Sequence, residues 1–229
     1  MLWSSNDWRV SLSKIDVATE RREFVHGHLH RDDLHKDPIV QFEGWLNAAR
    51  EAGLRDTTAM TLATVDSQGM PFQRMVLLKG LSEQGFVFFT NLGSRKAQHL
   101  ATNPKACLHF AWLPQDRQVI INGAVEPLSR SESWRYFLSR PKESQLAALA
   151  SRQSHPVTAR RLLEEKFFEL KAQFADKDIE LPRFWGGFRL RPQQIEFWQG
   201  GEHRLHDRFI YSRRTKDDGS DWVIERLSP

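Results

Sequence analysis

The spacing of apolar residues changes period along the chain. Ile39, Phe42, Leu46 and Ala49 recur at helical intervals with Trp45 beside them. Asp37-Pro38 offers a cap and a first-turn proline, and Gly53 a terminator, so an amphipathic helix is predicted between them. From Thr57 to Leu128 the period falls to two, and 58–65, 72–79, 86–90, 106–112 and 118–125 read as strands. Asp66-Ser67-Gln68-Gly69 and Ser82-Glu83-Gln84-Gly85 supply turns, and only a short helix over 94–102, capped by Ser94, interrupts. Strands joined by short turns predict an antiparallel meander that curls toward a barrel. A capping box, Ser129-Arg130-Ser131-Glu132, opens helical patterns through Leu138 and over 144–150 and 157–174. A polar linker is read over 175–181, and strand patterns return at 184–190, 195–209 and 222–227. The fold class expected is α+β, mainly antiparallel β, as one domain over 21–229. A mobile arm is expected over 1–20 and an exposed basic loop between Arg213 and Asp221. No βαβ alternation and no G-x-G-x-x-G occur, which argues against a Rossmann site.

Composition narrows the function classes. With 33 basic and 29 acidic residues the formal charge is only +4, not the excess of a dedicated nucleic-acid binder. The charge is uneven, however. Between Arg183 and Arg214 stand seven Arg and no Lys, opposed only by Glu196, Glu202 and Asp207, a pattern suited to a local anion site. Cys107 is the sole cysteine, which excludes an internal disulfide, and its apolar strand context predicts a core residue. No apolar run approaches a bilayer span, and Ser4, Asn6, Asp7 and Arg9 interrupt any leader-like stretch, so a cytoplasmic setting is expected.

Three blocks carry candidate chemistry. Gln199-Gly200-Gly201-Glu202, between apolar-rich runs, predicts a tight hairpin. Its second strand would place Arg204, His206 and Arg208 on one face and Leu205, Asp207 and Phe209 on the other. Such a row suits an anionic ligand; the alternative is a solvated strand face. In Gln73-Arg74-Met75-Val76-Leu77-Leu78-Lys79 two cations bound an apolar strand, and strand parity would aim Arg74 and Lys79 oppositely, toward different ligands or parts of one. In Phe89-Thr90-Asn91-Leu92-Gly93-Ser94-Arg95-Lys96 two cations sit in the first turn of a helix, where the dipole disfavours them unless an anion binds. With Ser94 and the free N–H groups they make a candidate phosphate cradle. The run His26, His28, His30 invites a metal reading, but no acidic or cysteine ligand lies within it, and a ligand-covering segment is preferred.

Glu196-Phe197-Trp198, the four-residue gap and Arg204-Leu205-His206-Asp207-Arg208 resemble the C-terminal signature of pyridoxamine 5′-phosphate oxidases. The resemblance runs from Arg21 to the terminal Arg226-Leu227-Ser228-Pro229, with the blocks in the family's order. It implies a split β-barrel that dimerises, with FMN at the interface and residues from both chains. FMN would be held by Arg74, Met75, Val76, Leu77, Leu78, Lys79, Phe89, Thr90, Arg95, Lys96, Gln118, Gln153, Ser154, Trp198 and Arg208. The substrate would be held by Lys79, Tyr136, Arg140, Ser144, Arg204, Leu205 and His206, with Arg21, Arg22, Glu23 and Phe24 closing over it, and Arg204 and His206 as the catalytic pair. Pro141 between Arg140 and Ser144 argues against one continuous helix there. The reaction implied takes a hydride from C4′ of pyridoxine or pyridoxamine 5′-phosphate to the flavin. Oxygen then becomes hydrogen peroxide, and the amine also yields ammonia. Phe24 and Phe89 stand where the family commonly has Tyr, which removes a hydroxyl from the lid and costs little where packing is the role.

Other readings remain at this point. Another flavin protein on the same barrel, a flavin reductase or a haem-handling relative, would share the FMN cradle but not the Arg204/His206 row. A non-catalytic nucleic-acid binder would be colourless and steeply salt-dependent. A metal enzyme using Glu202, His203, His206 and Asp207 is disfavoured because strand parity would part the two histidines.

Overall fold

The structure, a computed structural model, describes residues 19–151, 153–214 and 222–229. Positions 1–18 of the expected arm and 215–221 of the expected basic loop lie outside them. The first helix, α1 (Pro38–Glu51), begins where the Asp37 carboxylate accepts the Ile39 N–H at 2.8 Å. It buries Ile39, Phe42, Trp45, Leu46 and Ala49, the face its spacing predicts. The strands follow: β1 (Ala59–Val65), β2 (Pro71–Leu77), β3 (Gly80–Ser82), β4 (Gly85–Asn91), then α2 (Arg95–Thr102), β5 (Lys105–Trp112) and β6 (Arg117–Pro127). Three helices, α3 (Arg130–Ser139), α4 (Lys142–Ala150) and α5 (Arg160–Gln173), precede β7 (Trp185–Gln199), β8 (Asp207–Arg213) and β9 (Trp222–Leu227). The short β3, which the apolar pattern did not mark, pairs with β4.

Every pairing is antiparallel, and the sheet runs β2-β1-β5-β6-β7-β4-β3, with β8 and β9 branching from β7. Among the described residues the path stays open, so β2 has no strand on its outer edge. Two separate strands were expected where β7 runs unbroken for 15 residues. Its first half pairs with β4, its second with β8, and β6 accompanies both. Pro192 is tolerated because it falls at a register shift beside Asn122/Gly123. The backbones approach so closely there that a Cβ on Gly123 would sit 2.1 Å from the Arg191 carbonyl oxygen.

Two apolar clusters hold the chain. In the larger, Phe42 packs on Phe86 and Phe110 at 5.0 and 4.8 Å, while Met60, Leu62, Leu108, Ile121 and Phe197 are fully buried. Full burial of each such side chain is worth about 1.5–3 kcal/mol. The smaller joins Phe137, Leu146 and Leu170 of α3, α4 and α5 to Trp185 at the start of β7. Ile179 and Leu181 complete it, so the segment read as a polar linker is anchored by two buried residues.

The β7–β8 connection departs from expectation. It is not a two-residue hairpin: a 3-10 turn spans Glu202–Arg204, and β8 begins only at Asp207. His203 and Arg204 adopt φ of 55° and 66°, while Gly201 has an ordinary φ of −124°. The glycines serve close approach instead. A Cβ on Gly200 would meet the Phe24 ring at 2.5 Å, and one on Gly201 the Leu205 carbonyl at 2.3 Å. Arg204 and His206 therefore do not share a strand row with Arg208. Leu205, expected to face the core, is 69% exposed. His203 and His206 are not on opposite strand faces either, since neither lies on a strand.

Candidate functional site

A cavity of about 830 Å³ opens along the outer edge of β2, between it, β4, the start of α2 and the α3–α4 junction. Arg74, Met75, Val76, Leu77 and Lys79 all line it, although parity would have divided Arg74 from Lys79. Strand parity ends with β2 at Leu77. The Leu78 N–H then bonds Thr58 O and the Lys79 N–H bonds Val87 O, each at 2.8 Å, so the chain crosses from the β1 side to β4. Leu78 itself turns into the core and is not among the lining side chains.

The start of α2 builds the deep end. Ser94 makes no side-chain cap; its Oγ instead accepts from Lys96 Nζ at 3.3 Å. Lys96 is buried and also donates to Thr90 Oγ1 (2.9 Å) and Gln153 Oε1 (3.1 Å). All three acceptors are neutral. Burial, and then the nearby Arg74, lower the Lys96 ammonium to a pKa of about 8. Arg74 donates to Leu62 O and Thr64 Oγ1 at 3.0 and 2.7 Å, and burial followed by Arg95 lowers it too. The Arg95 N–H donates to Ser154 Oγ at 3.3 Å, and its guanidinium lies 5.6 Å from the centre of the Phe72 ring.

At the other end, α3 stops at Ser139, and Arg140 caps it ahead of Pro141, which breaks the helix as expected. Arg140 faces the cavity with a buried Nη1 that has no hydrogen-bond partner among the described residues, its guanidinium 5.1 Å from the Trp185 ring centre. Burial lowers its pKa. Tyr136 stacks on Phe89 at 4.0 Å, so Phe89 has the packing role. Ser144 sits in the first turn of α4 with its N–H on Pro141 O, half-buried and not part of the lining.

The remaining expected residues gather elsewhere, around the β7–β8 connection. Trp198 and His206 have ring centres 4.6 Å apart, and Phe24 packs edge-on against both at 5.6 and 5.0 Å. Arg22 and Arg204 lie 5.0 and 6.0 Å from the Phe24 ring centre. Arg21 and Glu23 are exposed. The Gly201 N–H donates to His206 Nδ1 at 3.2 Å, so the neutral imidazole carries its proton on Nε2. Burial, then Arg204 and Arg208, lower the His206 pKa and favour that neutral form. Gln118, Trp198 and Arg208 lie abreast across β6, β7 and β8. Arg208 is engaged by Glu196 at 2.8 Å and by Ser228 O at 2.9 Å. None of this second group lines the cavity. The histidine run forms an extended strap whose His28 Nδ1 is 3.7 Å from Asp207 Oδ2.

Sequence reasoning missed Phe72 and Trp185 as cavity walls and Asp116 as a partner of the strap. The first two read as ordinary strand residues, and Asp116 fell between two strands in a stretch with no assigned role, so no local signal marked them.

Residues 46–174 match the family "Pyridoxamine 5′-phosphate oxidase", and 185–229 the "Pyridoxine 5′-phosphate oxidase C-terminal dimerisation region". The chain is 58% identical over 215 residues to a pyridoxine/pyridoxamine 5′-phosphate oxidase of Vibrio cholerae serotype O1 (strain M66-2), covering 94% of this chain and 100% of that one. For its counterpart in Vibrio vulnificus (strain YJ016) identity is 60% with the same coverage. Among solved structures, PhzG from Burkholderia lata 383, in complex with tetrahydrophenazine-1-carboxylic acid, superposes with TM-score 0.82 at 30% identity, over 88% of this chain and 98% of that one. A pyridoxamine 5′-phosphate oxidase-related, FMN-binding protein from Nostoc punctiforme PCC 73102 superposes at TM-score 0.66 and 16% identity, over 86% and 100%. That likeness shows the expected split-barrel fold.

Proposed function

The chain belongs to the pyridoxamine 5′-phosphate oxidase family, and on that premise we propose that its cavity binds FMN and the phosphorylated substrate side by side. The activity is oxidation of pyridoxine and pyridoxamine 5′-phosphates in vitamin B6 metabolism. The donor set fits two phosphate groups. Arg74, Arg95 and Lys96 gather at the start of α2, and Lys79, Tyr136 and Arg140 line the same cavity. The first trio suits the FMN phosphate and the second the substrate phosphate. The observation that carries the reading is the buried Arg140 Nη1 without a partner among the described residues, together with a buried Lys96 that, among those residues, is held only by neutral oxygens. Buried cations in this state are costly unless an anion joins them.

Bound FMN would supply the acceptor for a hydride from C4′ of the substrate and pass the electrons to oxygen. The protein's part is position and electrostatics. Arg95 and Lys96 hold one phosphate; Arg140 and Lys79 hold the other. His206, neutral with its proton on Nε2, donates a hydrogen bond to the substrate, and Arg204 adds a fixed positive charge beside it. In a single chain these two residues stand apart from the cavity. A homodimer in which the β7–β8 turn of a second copy closes over the cavity would unite the halves, in keeping with the dimerisation-region match over 185–229. No helix among the described residues is long and apolar enough to cross a membrane.

The test is direct. The purified protein should be yellow, release FMN and not FAD on denaturation, and convert pyridoxamine 5′-phosphate to the aldehyde with one hydrogen peroxide per turnover. A colourless protein that FMN does not reconstitute, or one that FMN loads without such turnover, overturns the reading.

A further inference from the structure

The buried carboxylate of Asp116 has no task within the barrel. Its side chain is 1% exposed, and among the described residues its oxygens accept only from Arg22 Nη2 at 2.5 Å and from the Val25 N–H at 3.2 Å. Both donors belong to the segment that carries Phe24. The backbone of Asp116 is meanwhile bound to the other side of the site. Its carbonyl accepts the Gly200 N–H at 2.7 Å and Gln199 Nε2 at 3.3 Å. One residue, in a left-handed conformation at φ 54°, thus ties the Phe24 segment to the turn bearing Arg204 and His206. Its Cβ and the Phe24 ring are also the atoms that leave no space for a Cβ on Gly200. A second carboxylate, Asp207, pins the segment further along through the Leu29 N–H at 2.9 Å, but it also binds Arg226 of the barrel. Asp116 is therefore the anchor devoted to the strap.

We propose that Asp116 is a positioning residue: it latches residues 22–25 so that Phe24 packs on Trp198 and His206 and shapes the substrate side of the site. This rests on the proposed function for its kinetic arm only. Without the latch the carboxylate is left buried and unpaired, so the latched state is strongly preferred. Removing the charge should release the strap without touching the FMN cradle.

The experiment compares the FMN-loaded wild type with Asp116→Asn, since asparagine tolerates the left-handed backbone. Trypsin cleavage at Arg21 and Arg22 should accelerate about tenfold, the scale of one charge-assisted hydrogen bond. KM for pyridoxamine 5′-phosphate should rise about three- to tenfold, with kcat within about twofold and flavin content unchanged. Arg22→Ala breaks the same contact from the strap side; with cleavage compared at Arg21 alone, it should give the same acceleration and the same rise in KM, with no further change in the double variant. It also stands in if Asp116→Asn fails to fold. Unchanged cleavage, faster cleavage at unchanged KM, or a fall in activity that merely follows lost flavin each overturns the latch. Should the wild type not oxidise pyridoxamine 5′-phosphate, the proposed function fails, and the cleavage comparison still decides whether the latch exists.

Discussion

Around the β6–β9 face, five arginines are neutralised within the chain, although Arg189 keeps a buried Nε without a partner among the described residues and Arg117 is held by the neutral Gln199 side chain. Arg208 pairs with Glu196, Arg226 with Asp207, Arg22 with Asp116, Arg189 with Glu126 and Glu132, and Arg191 with Glu126, all at 3.2 Å or less. In the cavity the pattern reverses. Among the described residues, Arg74, Lys79, Arg95, Lys96 and Arg140 make no ion pair, although Lys96 is buried and Arg140 keeps an unpartnered buried donor. The same residue types thus do opposite work. On the outer face charges are mutually spent and hold strands and strap together. In the cavity they stay without carboxylate partners among the described residues, which is costly where the group is buried. Exposed pairs contribute little, a median of about 0–1 kcal/mol, so the cavity is where charge changes should matter most.

The largest break in this contrast should come from the cradle. Arg95→Ala with Lys96→Ala should weaken FMN about 100-fold or more while affecting riboflavin far less, because only FMN carries the phosphate. Titration of flavin fluorescence compares the two ligands, and equal losses would remove the cradle assignment. Next is Arg204→Ala, which should leave a yellow protein and lower kcat/KM about ten- to a hundredfold. Activity lost only in proportion to flavin would reassign it. Mixing unfolded and refolded Arg204→Ala with the Arg95→Ala/Lys96→Ala variant should restore part of the activity if the two regions meet across copies, and none if each chain works alone.

Smaller effects follow from titration, with opposite pH windows in the two regions. Lys96 has its folded pKa lowered from 10.5 to about 8. Between these values the unfolded chain holds the extra proton, so the flavin-free protein should gain stability, about 1–3 kcal/mol, as pH rises from 8 to 10.5. Denaturant titrations across that range should show the slope, and Lys96→Met should flatten it. Glu132 is lowered from 4.5 to about 2 by Ser129, through its hydroxyl and N–H, and then by Arg189. Its contribution is present above 4.5 and lost as pH falls toward 2. Urea midpoints in acid should therefore fall less steeply for Glu132→Gln, which is already weakened at neutral pH. Smallest of all, Leu205→Ala should change stability by no more than about 0.5 kcal/mol, since the side chain is exposed.

Much of the molecule was legible before folding was considered. Period-two and helical spacing located β1, β2, β4, β5 and β6 and the buried face of α1, because solvent and core impose those periods locally. Two cations at the start of α2 marked a candidate phosphate cradle, because the helix dipole makes them anomalous wherever they occur, and both line the cavity. Other features had no local signature. The left-handed turn at His203 and Arg204 uses non-glycine residues, so nothing in their identity announced that β8 starts at Asp207. Lys79 reached the side of Arg74 only because the chain changes strand partners after Leu77. Arg140 and Tyr136, some sixty residues from β2 in sequence, met it through sheet curvature and the docking of α3 on β7. Local chemistry and periodicity were written in neighbouring residues. Convergence, and the choice of which cations stay unpaired, depended on how distant segments pack, and only the tertiary structure decided that.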